Sequence, residues 1–160
     1  MSGELAHLAE RIRSEFLELK QVLQRVEAGW QRAKRSDDDY YLDGVALNLH
    51  GFYGGLERVF ERIATLVDDS LPQGENWHQV LLKQMTKEVP GVRPAVISDR
   101  TYTRLDEYRG FRHVVRNVYT FKFDPVKLKK LVVEAPSLFE QVRAELLAFA
   151  DFLEASGRYD

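Results

Sequence analysis

The chain has 160 residues, 44% hydrophobic and 30% charged, with 23 Lys and Arg against 25 Asp and Glu, a balance that fits one ordinary soluble domain of common size, residues 1–160. Its formal net charge of −2 supplies no global attraction to nucleic acid or anionic lipid, so binding to a polyanion needs a local cluster of positive side chains. Cysteine is absent, which excludes disulfide frameworks, thiolate metal sites, iron–sulfur clusters and cysteine nucleophiles together.

From Leu5 the large apolar residues fall at Leu8, Ile12, Phe16, Leu19, Leu23, Val26 and Trp30. Those spacings of three and four predict one long amphipathic helix. Ser36-Asp37-Asp38-Asp39 offers capping oxygens and negative charge for a second helix start, after which Tyr41, Val45, Leu49, Phe52, Leu56, Val59, Phe60, Ile63 and Val67 continue at helical spacing. Gly51, Gly54 and Gly55 interrupt that helix, and each costs roughly 1 kcal/mol relative to alanine. Their expected role is the close approach of a neighbouring backbone. Leu71-Pro72-Gln73-Gly74 ends the second helix, and Asn76 caps a short amphipathic segment from Trp77 to Met85 ahead of Pro90-Gly91.

The stretch Val92–Ile97 contains Pro94 and alternates too little for a strand. Ser98-Asp99 then caps a helix expected from about Arg100 to Phe121. Asp124-Pro125 opens a short helix, and Pro136-Ser137 opens the last one, with Leu138, Phe139, Val142, Leu146, Phe149 and Phe152 on its apolar face. The expected fold is all-α: a helical bundle of two long antiparallel helices and three or four shorter ones. No segment approaches the roughly 18 uninterrupted apolar residues of a membrane span, so a cytoplasmic protein without membrane contact is expected.

The fourth helix sorts its residues by type at about 100° per residue. Tyr108, Phe111, Val115 and Val118 share one side, whereas Arg109, Arg112, His113, Arg116, Asn117 and Tyr119 spread over the other. Guanidinium groups bind phosphate oxygens in pairs and imidazole exchanges protons near neutral pH, so this array suits RNA. A plainer reading is a solvated basic face, or one paired with Glu57, Glu61 or Asp106. His7, His50 and His78 are read as surface or structural residues, since none has metal-ligand spacing.

The string Tyr108-Arg109-Gly110-Phe111-Arg112-His113-Val114-Val115-Arg116-Asn117-Val118-Tyr119 resembles the signature helix of the HEPN superfamily, and within it the HepT-like toxins. That motif runs arginine, a polar residue, three further positions, a histidine and, two residues later, a tyrosine. Arg112, His113 and Tyr119 match the arginine, the polar residue and the tyrosine, while Asn117 stands where the histidine belongs. Phe52-Tyr53-Gly54-Gly55-Leu56-Glu57-Arg58, Trp77-His78, Gly91-Val92-Arg93-Pro94 and Phe123-Asp124-Pro125 extend the resemblance along the chain.

The resemblance implies an all-α homodimer whose two motif helices face each other and form a metal-independent ribonuclease site, with no cofactor. Arg112, His113 and Asn117 become the catalytic candidates, and Arg109, Arg116 and Tyr119 the substrate-binding ones. Asparagine cannot titrate, and loss of a general base costs on the order of 10²–10⁴ in rate. Three explanations stand open: Asn117 is an engineered silencing, His113 takes over proton transfer, or the chain is a catalytically weak binding partner. The resemblance also implies a minimal nucleotidyltransferase antitoxin as partner, able to transfer AMP to Tyr119. A helical interaction module without a nucleic-acid role is the reading from a different class.

Overall fold

The computed structural model describes residues 2–119 and 122–157. Its five helices are α1 (Ser2–Arg35), α2 (Tyr40–Leu66), α3 (Trp77–Gln84), α4 (Asp99–Asn117) and α5 (Pro125–Gly157). Phe121, the expected end of the fourth helix, lies outside the described residues. The all-α expectation holds, and no helix among the described residues is long and apolar enough to cross a membrane.

Helix α1 buries the expected stripe, with Leu8, Ile12, Phe16, Leu19 and Val26 fully covered and Leu23 and Trp30 packed partly against the core. It ends on Arg32, Lys34 and Arg35, whose charges suit the negative end of the helix dipole. The serine of the acidic run closes α1, its hydroxyl donating to the Arg32 carbonyl at 2.9 Å, while Asp38 Oδ1 accepts from the Tyr40 backbone N–H at 3.0 Å and starts α2. The short link makes α1 and α2 antiparallel, and α1 packs along both α2 and α5. An edge-on Phe16–Phe139 contact at 5.8 Å joins α1 to α5.

Helix α5 departs from expectation. The two helices expected from Asp124-Pro125 and Pro136-Ser137 are one continuous helix with Pro136 inside. A proline in a helix interior removes one backbone hydrogen bond and crowds the preceding turn, but the residues on both sides of it are held elsewhere. Leu131, Val132, Ala135, Leu138 and Phe139 are buried, the Tyr108 hydroxyl donates to the Leu131 carbonyl at 2.6 Å, and Arg104 binds Ser137 Oγ at 2.6 Å. Packing against α1 and α4 therefore overrides the local stop signal.

The loop between α3 and α4 is anchored by Arg93, whose side chain is 0% exposed. All five of its N–H donors are used: Nε and Nη2 on the two Asp68 carboxylate oxygens (2.5 and 2.8 Å), Nη2 on the Gln84 carbonyl (3.2 Å), and Nη1 on the carbonyls of Lys87 (2.6 Å) and Pro94 (3.0 Å). The Val96 and Ile97 N–H groups both donate to the Met85 carbonyl. This clamp fixes where α3 ends and α4 begins, and so sets the relation between the two helices that carry the site.

Candidate functional site

Helix α4 is held at its amino end by a polar network. Ser98 caps it as expected, Oγ accepting from the Thr101 N–H at 3.2 Å. Glu145 on α5 accepts from the Ser98 N–H at 2.6 Å and from the Thr101 hydroxyl at 2.6 Å. Further along, Tyr108 is buried against Phe52, ring centroids 5.9 Å apart, and burial pushes its phenol above the ordinary range. Leu105 and Tyr108 are directed into the core; Arg112, seven and four residues after them, shares that side of α4 and reaches Gly54 and Glu57 on α2, while His113, Arg116 and Asn117 are exposed.

Arg109, Arg112, His113, Arg116 and Asn117 line one groove of about 530 Å³, whose other wall is the entry to α3, including Asn76 and His78. Arg109 is tied to Asp106 at 2.7 Å. Arg112 is the most enclosed of the cations, its side chain 20% exposed, with Glu57 its nearest carboxylate at 4.0 Å. Its Nε is buried with no hydrogen-bond partner among the described residues. The paired-face reading is thus realised for Arg109 and only loosely for Arg112.

Asn117 turns back on its own helix, Nδ2 donating to the His113 carbonyl at 2.7 Å and lying 3.4 Å from His113 Nδ1. That bond occupies a carbonyl at the helix end, where Asn competes well with the backbone. Helix α4 stops at Asn117, and Val118 is extended, with φ −130° and ψ 142°. Val118 is 37% exposed, so it does not join the core side of the helix as expected. The β-branched Val114 and Val115 weaken the last turn of α4. Tyr119 consequently leaves the helical register that would set it over Arg112 and Arg116. It is 72% exposed and does not line the groove.

The glycines of α2 divide three ways. A Cβ on Gly54 would collide with Arg112 Nη1, whereas one on Gly55 would meet Leu19 Cδ2 at 2.8 Å and Glu15 Oε1 at 3.1 Å, and one on Gly51 would meet nothing within 4 Å. The expected backbone approach is therefore a side-chain approach at two of them and absent at the third. Gly54 is the seat of the Arg112 guanidinium.

Glu57, expected only as one alternative partner of the basic face, and His78, read as surface or structural, also enter the site. Glu57, 3% exposed, holds His78 Nδ1 at 2.7 Å through Oε2, so His78 is a groove residue and not a plain surface one. The signal for Glu57 was its place among the apolar positions of α2, four residues after Tyr53 and three before Phe60. His50 stands behind the cations. Burial, reinforced by Arg112 and Arg116, pulls its imidazole below the ordinary range. Burial and the neighbouring Glu57 push the Glu61 carboxyl up. No group of three or more His, Asp or Glu is placed to hold a metal ion among the described residues.

The groove thus gathers arginines, imidazoles and amides from α4 and from the entry to α3 in one all-α bundle. The family model described as HepT-like protein matches residues 44–153, from α2 to the carboxyl-terminal part of α5. The chain belongs to this HepT-like family of the HEPN superfamily. No curated protein and no solved structure matches it.

Proposed function

We propose that the chain, as one HepT-like unit over residues 1–160, is a cytoplasmic HEPN-type toxin: an endoribonuclease that cleaves RNA without a metal ion at a composite homodimer site. The observation that carries this reading is the groove shared by Arg109, Arg112, His113, Arg116 and Asn117. Arg112, enclosed and without a short ion pair, offers fixed positive charge to the phosphorane-like transition state. Arg109 and Arg116 hold flanking phosphates, and His113 supplies proton transfer from the motif helix. Asn117 keeps a hydrogen-bonding amide where the family motif carries its histidine, which makes activity weak relative to a fully matched motif. The dimer is proposed to form beside this groove, where Val114 and Val118 are 36% and 37% exposed.

The test is RNA cleavage without added metal by the full chain and by Arg112→Ala. Cleavage that Arg112→Ala reduces on the order of 10²–10³-fold supports the reading. A wild-type protein that never cleaves RNA refutes it. Light scattering that finds only monomer at micromolar concentration removes the composite site.

A second reading is a catalytically inactive HEPN partner of a minimal nucleotidyltransferase antitoxin. Tyr119 favours it, because a tyrosine 72% exposed at the edge of a basic cluster is open to transfer of AMP, which adds negative charge there. Mass spectrometry of the chain incubated with such a transferase, ATP and Mg²⁺ tests this: modification of another residue, or none, ends the assignment of Tyr119.

A further inference from the structure

We propose that His78, oriented by the buried carboxylate of Glu57, is the general base of the groove and takes the ribose 2′-OH proton that Asn117 cannot accept. The inference rests on the RNA-cleaving reading and places the base outside the motif helix.

Glu57 lies in the apolar run of α2 with its side chain 4% exposed. A carboxylate this far from water is costly unless hydrogen-bonded and charge-compensated. Its Oε2 is 2.7 Å from His78 Nδ1, and its Oε1 faces Arg112 Nη2 at 4.0 Å. When the Glu57 carboxylate accepts from Nδ1 at this distance, the lone pair of a neutral ring is on Nε2. Nε2 has no hydrogen-bond partner among the described residues. The ring plane is fixed a second time by stacking on Trp77, centroids 3.7 Å apart at 30°.

A purely structural ion pair would use this imidazole up. Here the ring instead keeps 27% side-chain exposure and lines the same groove as Arg112, His113 and Asn117. Carboxylate, oriented imidazole and a ring that lines the groove repeat the logic by which a buried acid sets the tautomer of a catalytic histidine and stabilises the imidazolium it becomes. Arg112 touches the same carboxylate, so the base and the charge that meets the phosphate are located by one buried residue.

The step balances without a co-reactant. The 2′-OH proton passes to His78 Nε2, the 2′ oxygen forms a bond to phosphorus, and the bond from phosphorus to the 5′ oxygen breaks. The departing 5′ oxygen takes a proton from the His113 imidazolium. The products are a 2′,3′-cyclic phosphate and a 5′-hydroxyl end; His78 returns its proton to water and His113 regains one from it, so both imidazoles end as they began. Glu57 is a positioning residue in this scheme, and His78 touches the reacting oxygen.

The experiment compares metal-free RNA cleavage by the full chain with His78→Ala, His78→Gln, Glu57→Gln and the double variant Glu57→Gln/His78→Ala. Thermal melts and binding of a 2′-deoxy RNA analogue are measured on each. Both His78 variants should cleave about 10²–10⁴-fold more slowly while binding the analogue as the wild type does; His78→Gln should also melt near the wild type, whereas His78→Ala, which strips the buried Glu57 carboxylate of its 2.7 Å partner, should melt lower. Free imidazole should restore part of the rate to His78→Ala and none to Arg112→Ala. Glu57→Gln should slow cleavage less, and the double variant should be no slower than His78→Ala, because residues acting as a unit are not additive. His78→Gln keeps an amide donor toward Glu57, so it reports on chemistry if His78→Ala fails to fold. An active wild type with folded His78 variants of equal rate overturns the assignment and leaves the ribonuclease reading standing. A slow His78→Ala that imidazole does not help, with additive loss in the double variant, also overturns it by showing a structural role. A wild type that does not cleave RNA removes both.

Discussion

Gly54→Ala separates the architecture of α2 from the placement of Arg112. In a helix interior alanine is favoured over glycine by about 0.5–1 kcal/mol, and Gly54 is buried in the middle of α2. The atom a new methyl would strike is Arg112 Nη1, the far end of a flexible side chain and not backbone. The guanidinium can swing away. Doing so weakens its 4.0 Å contact with Glu57, a pair too long for a hydrogen bond and worth about 1 kcal/mol, while Glu57 keeps its 2.7 Å bond to His78. The two effects nearly cancel, so folding stability should change by less than about 1 kcal/mol, a melting shift of roughly 2–4 °C at most for a chain of this size. Function should not be spared. If Arg112 meets the transition state from this seat, displacing it should lower RNA cleavage toward the 10²–10³-fold loss that follows removal of one oriented donor, about 3–4 kcal/mol in barrier. Thermal melts and cleavage rates on the same preparation measure the two together. A folded variant with wild-type activity would refute the placement argument, and a loss of several kcal/mol in stability would show that the backbone, and not Arg112, closes over Gly54.

The neighbouring glycine should behave oppositely: Gly55→Ala presses on Leu19, which is 2% exposed and has no room to give, so urea denaturation should show a loss of about 1–3 kcal/mol. Gly51→Ala, facing open space, should instead gain about 0.5–1 kcal/mol by the same measurement. Arg93→Ala leaves the Asp68 carboxylate, 5% exposed, without its charge partner and with only the Gln84 amide on it among the described residues, and the urea midpoint should fall by the equivalent of about 3–5 kcal/mol. His50, lowered by burial and by Arg112 and Arg116, is protonated first in the unfolded chain as pH falls below its ordinary 6.5. Its contribution is therefore complete above that value and lost on acidification, and His50→Asn should flatten the decline in urea midpoint between about pH 7 and 5. Glu61 is shifted the other way by burial and Glu57: the folded chain holds its proton just above 4.5 where the unfolded chain does not, so stability from this group falls as pH rises, and Glu61→Gln should raise the midpoint at neutral pH.

Much of the fold was legible because helix formation is periodic and local. The stripe of α1, the apolar positions of α2, the Ser98 cap and the donor array of α4 each lie within a few turns of chain, and a pattern at spacings of three and four states which side must be covered. The same locality explains the errors. Pro136 reads as a stop, yet α5 passes through it, because the burial of Leu131, Val132, Leu138 and Phe139 comes from α1 and α4, which no window around the proline contains. Tyr119 reads as one more residue on the face of α4, yet the helix ends two residues earlier, at a Val118 left 37% exposed.

The candidate site divides along the same line. Arg109, Arg112, His113, Arg116 and Asn117 were found together because one helix presents them together. Glu57 and His78 are 21 residues apart on two helices whose meeting depends on the Arg93 clamp, on Gly54 leaving room for Arg112, and on α3 folding back over α2. Periodicity can say that Glu57 is buried, but the identity of what compensates its charge is a property of tertiary contact, and only the packed bundle brings the carboxylate, the imidazole and the guanidinium to one groove.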